Sequence, residues 1–343
     1  MRTRRQTLKI AFGAAALVAA SSLIGCGGAG EEVIIKTAAG AELKAADIDR
    51  DPYALLPEGP LLLVKTDAQA QFRSQFGQKL LQIVMSRLPV PQSAQFVPER
   101  DLDSLLVGVY SMQGVDFAAV ATGRFSPQSI AAAADGVTQT PLGAPLVKSE
   151  YAGRTLYTVG NVGFTLLTDH TVLYGNETGM RRALDRIAQG QLQRRIPQWM
   201  ESFLRTQNAP LVAAADLASS PEVAAAASSV ALAHGLSAAT VTGNFEAPGM
   251  NLGGRLTYQD ANTAQQGAQA IIALRQRIQS YSFLTALMGI GDPIQQLTVT
   301  PANNVVDFQL ALQGGVVTQL LNQLGGAVGV PAGPVRATTT PSH

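Results

Sequence analysis

The chain has 343 residues, 46% apolar and 14% charged, with 25 basic against 24 acidic side chains and a single cysteine. The near-neutral balance excludes a nucleic-acid binder, and one cysteine excludes a disulfide framework. Length and apolar content allow a sizeable core in one large or two medium domains, built from Ala, Val, Leu and Ile because aromatics make up only 6%.

The first segment has three parts. Arg2, Arg4, Arg5 and Lys9 form a basic start, residues 10–24 (IAFGAAALVAASSLI) are apolar or small, and small residues lead into Cys26. The apolar stretch is shorter than the roughly 20 residues of a comfortable bilayer span. A charged start, a short apolar stretch and a small-residue exit describe a secretory signal peptide over residues 1–25. Leu23-Ile24-Gly25-Cys26 resembles the lipobox of bacterial lipoproteins. That resemblance implies cleavage between Gly25 and Cys26, a diacylglycerol on the Cys26 sulfur and an acylated new N-terminus. Two or three acyl chains anchor a protein stably, since each buried methylene contributes roughly 0.8 kcal/mol. Removing residues 1–25 leaves 21 basic and 24 acidic residues. The stretch TRRQTLK is similar to the twin-arginine export signal, with Arg4 and Arg5 as the pair. Thr7 stands where that family has a bulky apolar residue, so the export route stays open. Gly27 after the cysteine implies, by the usual lipoprotein sorting rule, the outer membrane.

Residues 26–59 read as lipidated tether and linker. Within them Asp47, Asp49, Asp51 and Glu58 fall at positions 1, 3, 5 and 12, the carboxylate spacing of a calcium loop. Position 6 is Pro52 where such a loop needs glycine. A solvated acidic linker is the main reading and calcium the alternative.

From Pro60 a pattern begins that recurs. PLLLVKTD is a short strand, followed by a helix-period segment over 68–88. LDSLLVGVYS and DFAAVATGRF form a hairpin through Met112-Gln113-Gly114. Ser126 as N-cap and Pro127 at the first helical position open a helix. RTLYTVG, VGFTLLTD and TVLYG supply two more hairpins, with Asp169 and His170 as turn residues. A helix from about Glu177 to Ala188 closes the first repeat, residues 60–190. YGNETGMRRAL joins strand to helix through Gly175 and Gly179; without a lysine or a third glycine it reads as turn and cap chemistry.

Residues 191–209 form a basic, helical connection. Arg181, Arg182, Arg186, Arg194 and Arg195 place five guanidinium groups within fifteen residues. A solvated face is the plain reading; the sharper one is a contact surface for phosphate-bearing envelope polymers or anionic head groups, since Arg pairs with phosphate bidentately. Trp199 and Phe203, four residues apart, share a helix face that reads as core.

The second repeat, residues 210–324, opens with PLVAAADL. Ser220-Pro221-Glu222 caps an alanine-rich helix ended by His234 and Gly235. AATVTGNFE and MNLGGRLTYQD make a hairpin, and a helix spans about Ala261 to Tyr281 with Ala264, Ala268, Ile271, Leu274 and Ile278 on one face. QLTVTP and VVDFQLAL pair around Asn303-Asn304, and VVTQLLNQL is the closing helix. Residues 325–343, ending in His343, read as a disordered tail. The fold class is therefore α+β, a tandem duplication of strand-helix-hairpin-helix-hairpin-helix units with antiparallel sheets. The body also loosely resembles exported bacterial proteins of no known function.

No zinc spacing, nucleophile elbow or phosphate loop is present, so the reading assigns no enzyme, cofactor or metal. Two functions remain. The favoured one is a lipid-anchored, non-enzymatic envelope protein that binds or scaffolds an envelope polymer or protein. The other is a carrier of a lipid or other hydrophobic ligand, which requires an apolar cavity between sheet and helices.

Overall fold

The computed structural model describes residues 33–37, 40, 42–87, 94–111, 116–135, 140, 144–280 and 293–327. Two short strands, β1 (Val33–Lys36) and β2 (Glu42–Lys44), form an antiparallel pair. Helices α1 (Ala45–Asp49) and α2 (Pro52–Leu55) follow, the second opened by Asp51, whose carboxylate accepts from the Tyr53 N–H at 3.1 Å.

All remaining strands join one twelve-stranded antiparallel sheet. The two repeats meet in it where β3 (Leu62–Asp67) pairs with β10 (Leu211–Asp216), the opening strand of each. Leu63 lies opposite Ala214 and Val64 opposite Ala213. The seam is closed at both ends by matching bonds, Asp67 N–H to the Pro210 carbonyl and Asp216 N–H to the Leu61 carbonyl, each 2.8 Å. Both strands end in an Asp whose carboxylate then caps the chain beyond it, Asp67 on Ala70 N–H and Asp216 on Ser219 N–H.

Outward from this seam the order is mirrored. On one side lie β4 (Leu102–Ser111), β5 (Asp116–Gly123), β9 (Thr171–Asn176) and β8 (Val162–Leu166). On the other lie β11 (Leu236–Asn244), β12 (Gly249–Tyr258), β14 (Val305–Gln313) and β13 (Ile294–Ala302). The first arm continues through β7 (Arg154–Val159) to β6 (Val147–Tyr151). The chain is thus α+β with antiparallel hairpins, and the two repeats share a single sheet inside one compact unit that starts at Val33.

Side chains alternate across a sheet, so each strand feeds two cores. On one face Leu63, Leu106, Val120, Leu173, Val212 and Ala214 meet Met180, Ala183, Leu184 and Ile187 of α7 (Glu177–Ala188). Met200 and Leu204 of α8 (Gln198–Thr206) and Ile48, Leu55 and Leu56 complete that layer. On the opposite face Ala121, Tyr157, Phe164 and Val172 meet Ile130, Ala133 and Ala134 of α6 (Pro127–Asp135). In the second repeat that face carries α10 (Ala261–Ser280), with Ala264 and Ala268 against Tyr258 and Val306. A further cluster joins Phe76 and the helix after it, α4 (Gly77–Arg87), to Val317 and Leu321 of α11 (Gly314–Ala327).

Gly179 explains how α7 approaches so closely. A Cβ there would lie 2.1 Å from the Phe117 carbonyl oxygen, and one at Gly175 2.6 Å from it. Asn176 caps the helix, its Oδ1 accepting from the Gly179 N–H at 3.2 Å and from the Phe117 N–H at 3.0 Å. The two glycines therefore serve turn, cap and close packing.

Several expectations are corrected. The 68–88 helix is two, α3 (Ala68–Arg73) and α4, because Ser74 turns extended and its hydroxyl bonds back to the Gln71 carbonyl. The alanine-rich helix, α9 (Pro221–Ser228), ends six residues before His234. Gly235, with φ of +71°, opens β11 instead of capping that helix. Helix α11 runs to Ala327, past the expected start of a disordered tail at Gly325. The turn Met112–Gly114, Tyr281 and His343 lie outside the described residues.

His170 sits in the β8–β9 turn, its Nδ1 3.0 Å from the Gly123 carbonyl. That hydrogen bond raises the imidazole pKa above its ordinary 6.5. Protonated His170 thus adds stability that is fully present below pH 6.5 and disappears as the pH rises through the raised value. An NMR titration places its midpoint above 6.5, and a midpoint at or below 6.5 contradicts the bond. Gly179→Ala lowers stability by about 1–3 kcal/mol in urea denaturation, as overpacking against fixed backbone does.

Candidate functional site

The structure separates most of the sequence candidates. Arg4, Arg5, Gly25 and Cys26 lie outside the described residues. The five arginines do not form a free cationic surface. Arg181 pairs with Glu177, and Arg182 pairs with Asp116 while lying 4.5 Å from the centre of the Tyr110 ring. Arg194 is bound by Asp51 and Glu201. Arg186 is only 9% exposed and donates to the carbonyls of Gln191 and Gln193 at 3.2 and 2.6 Å. Burial lowers its pKa, and it acts as the tie of the loop after α7. Arg195 is exposed, and its charge also lowers the Arg186 pKa.

The acidic run likewise disperses. Asp47 caps α1 and pairs with Arg50 at 2.8 Å, while Asp49 accepts from the Thr168 and Thr171 hydroxyls at 2.6 Å each. Asp51 caps α2 and holds Arg194, and Glu58 is exposed. Asp47, Asp49, Asp51 and Glu58 therefore do not converge as a calcium loop, and among the described residues no group of three His, Cys, Asp or Glu is placed to hold a metal.

What the structure brings together is apolar. A cavity of about 200 Å³ lies between the first repeat's sheet and its helices. Leu105, Ala121, Phe164, Val172 and Tyr174 form the sheet side, and Val84 of α4 and Ile130 of α6 form the helix side. Phe96, Leu102 and Phe125 close it, the two phenylalanine rings stacked at 5.8 Å. The Tyr174 hydroxyl is the one side-chain oxygen among these ten residues.

Its walls are positioned by polar bonds outside the cavity. Asp101, at the end of α5 (Pro98–Asp101), accepts from the Val97 N–H at 2.9 Å and from Arg100 Nε at 2.6 Å, which fixes the segment bearing Phe96. The Arg100 hydrogen bond holds the Asp101 carboxyl below the usual carboxylate range. Phe125 N–H donates to the Asp169 carbonyl at 2.7 Å, strapping that ring to the β8–β9 turn. Ser126 then caps α6. Hydrocarbon entering such a space loses only water contact, at about 25 cal/mol per Å² of apolar surface, and among the described lining residues only the Tyr174 hydroxyl offers a polar contact. A cavity of about 150 Å³ lined this way stays dry and takes a benzene-sized guest. This cavity therefore fits a segment of an acyl chain or a ring, not a whole phospholipid. Sequence reasoning had no local signal for it, since its lining comes from seven separate stretches.

A second feature is a part of the sheet that no helix covers among the described residues. In the second repeat the face that carries α7 and α8 elsewhere shows Thr240, Thr242, Arg255, Thr298, Asp307 and Gln309. Arg255 and Asp307 neutralise each other through two bonds of 2.8 and 3.1 Å. A depression of about 410 Å³ runs along this face beside Trp199 and Phe203. Trp199 is 38% exposed, so the expected core face of α8 is corrected to Met200 and Leu204.

Among the described residues no helix is long and apolar enough to cross a membrane. No protein-family model and no curated protein matches the chain. Solved structures similar in fold do exist. Crystal form III of TP0453 has a TM-score of 0.52 at 10% identity, covering 80% of this chain and 98% of that one. Crystal form I has a TM-score of 0.49 at 9% identity, over 80% of this chain and 97% of that one. At these identities the likeness is one of fold: this chain is similar in architecture to TP0453 over nearly all of that protein's length.

Proposed function

We propose that this chain is a lipid-anchored, non-enzymatic protein of the cell envelope that holds the apolar part of a hydrophobic ligand in the cavity under α4 and α6. The observation that carries the reading is that cavity: about 200 Å³, lined by Val84, Phe96, Phe125, Ile130 and their neighbours, with no charged group among the described lining residues. A scaffold needs a filled core and an exposed patch, whereas a carrier needs an apolar space between sheet and helices. The cavity supports the carrier reading.

The anchor belongs to the same proposal. The leader resembles that of a bacterial lipoprotein, with Cys26 as the acylated residue and the outer membrane as its place. A tethered carrier collects or delivers its ligand at the membrane surface, where long-chain ligands are concentrated. The small volume suits capture of a chain end or ring, with the remainder of the ligand outside.

Full-length chain extracted from membranes in mild detergent binds cis-parinaric acid saturably at one site. Ala121→Phe, which fills the cavity from the sheet side, weakens that binding at least tenfold while thermal unfolding stays cooperative. Ile130→Ala, which enlarges the cavity, retains binding and covers the case in which the larger side chain prevents folding. Absence of saturable binding by the unmodified chain, or equal binding by Ala121→Phe, overturns the carrier reading. Separately, Cys26→Ala moves the protein out of the membrane fraction; unchanged membrane association of that variant refutes the anchor.

A further inference from the structure

The polar face of the second repeat holds a trough. Three open depressions of about 410, 270 and 280 Å³ adjoin there and share Gly253. Together they run from Trp199 on α8 across β11, β12 and β14 to Thr298 on β13. The three strand spacings from β11 to β13 amount to about 14 Å, so the trough suits a linear ligand longer than one ring. It lies on the other face of the sheet from the apolar cavity, since Thr240 and Thr242 continue the row of Ala214 and Val212.

Gly253, on the floor of the trough, is not demanded by the fold. A Cβ there would meet the Thr242 hydroxyl oxygen at 3.8 Å and the Phe308 carbonyl oxygen at 3.9 Å, both ordinary contacts. Its neighbour Gly254 is the opposite case, because a Cβ at that position would lie 2.2 Å from the Thr240 carbonyl oxygen. Glycine inside a strand weakens it, and one that packing does not require marks a close approach by something else. The missing side chain at 253 keeps the floor open between Thr242 and Gln309, its partners on β11 and β14.

The lining selects a polyhydroxyl ligand. Thr240, Thr298 and Gln309 offer hydroxyls and an amide, groups that both donate and accept. Arg255 and Asp307 meet in a two-bond fork, which leaves further N–H groups and carboxylate lone pairs while adding no net charge. Trp199, 38% exposed, stands at one end of the trough beside Phe203. A flat indole gives the C–H face of a sugar ring an apolar stacking surface, and its N–H stays at the wet rim. Hydroxyls and amides line this face where an acyl chain needs hydrocarbon. Among the described lining residues the one cation is already paired, where an anionic polymer needs free ones.

We propose that this trough binds a neutral, linear oligosaccharide segment, with one ring stacked on Trp199 and the rest lying over Gly253 toward β13. The site is independent of the apolar cavity and of what that cavity holds.

Trp199 is the single tryptophan of the chain, so its fluorescence reports on this site. Full-length chain in a detergent without a sugar head group is titrated with cellotetraose, maltotetraose and tetra-N-acetylchitotetraose. At least one is expected to change the emission saturably, with its monosaccharide binding at least tenfold more weakly. Gly253→Leu, which fills the floor where a side chain fits, removes the response while the melting temperature holds or rises. Trp199→Ala, at an exposed side chain, weakens the same oligosaccharide at least tenfold by calorimetry and decides the matter where Gly253→Leu does not fold. Ala121→Phe, which fills the apolar cavity, leaves the titration unchanged. No saturable change with any of the three oligosaccharides, undiminished binding by folded Gly253→Leu or Trp199→Ala, or loss of binding in folded Ala121→Phe overturns the proposal.

Discussion

The antiparallel pairing of β3 with β10 is the interaction on which the rest of the structure depends. It joins two opening strands about 150 residues apart in sequence, and every other strand of the twelve-stranded sheet adds outward from it. Leu63 and Val212 are fully buried and Ala214 nearly so, all on the face that receives α8. Burying a leucine or valine side chain contributes about 1.5–3 kcal/mol. A handful of such residues at the seam therefore weighs heavily against the total stability of a domain, about 5–15 kcal/mol. Small residues dominate the β10 side of the seam, which lets α8 sit close across it.

The sheet's alternation then produces two unlike halves. In the first repeat both faces are covered: α7 and α8 lie over one, α6 and α4 over the other. The second covering is held at its rim by caps and ion pairs, with Asp101 and Ser126 fixing the segments that bear Phe96 and Phe125. An apolar cavity lies between these walls, with the Phe96 and Phe125 rings stacked at its rim. In the second repeat one face shows, among the described residues, mainly Thr, Asn, Gln and a paired Arg255 and Asp307, side chains that sheet and water both accommodate. Duplication of the same strand order thus gives one half that encloses a space and one that presents a surface.

Much of the local structure is legible in the chain itself. The alternating run from Leu102 to Phe125, the Ser126-Pro127 cap and the Asn303-Asn304 turn each specify their element through short-range chemistry. The parallel openings PLLLVKTD and PLVAAADL reveal the repeat, because each must supply a buried central strand ending in a capping Asp. What stays hidden depends on distant partners. The basic cluster looked like a surface because Asp116 and Asp51, which neutralise Arg182 and Arg194, lie far upstream. The acidic run resembled a metal loop because the Thr168 and Thr171 hydroxyls that engage Asp49 belong to another strand pair. Strand β6, VKSEY, is short and carries lysine and glutamate in place of an apolar run, since an edge strand has little to bury. The cavity is the extreme case, assembled from Val84 through Tyr174 only once β4, β5 and β9 are side by side.

The most direct test of the account is hydrogen–deuterium exchange of the full-length chain with and without dodecanoate. Ligand in the cavity predicts slowed exchange in α4, α6 and the segments bearing Phe96 and Phe125, with the Trp199 side of the molecule unchanged. No protection there, or protection confined to the bare face of β11, β12, β13 and β14, contradicts the assignment of the cavity as the binding site.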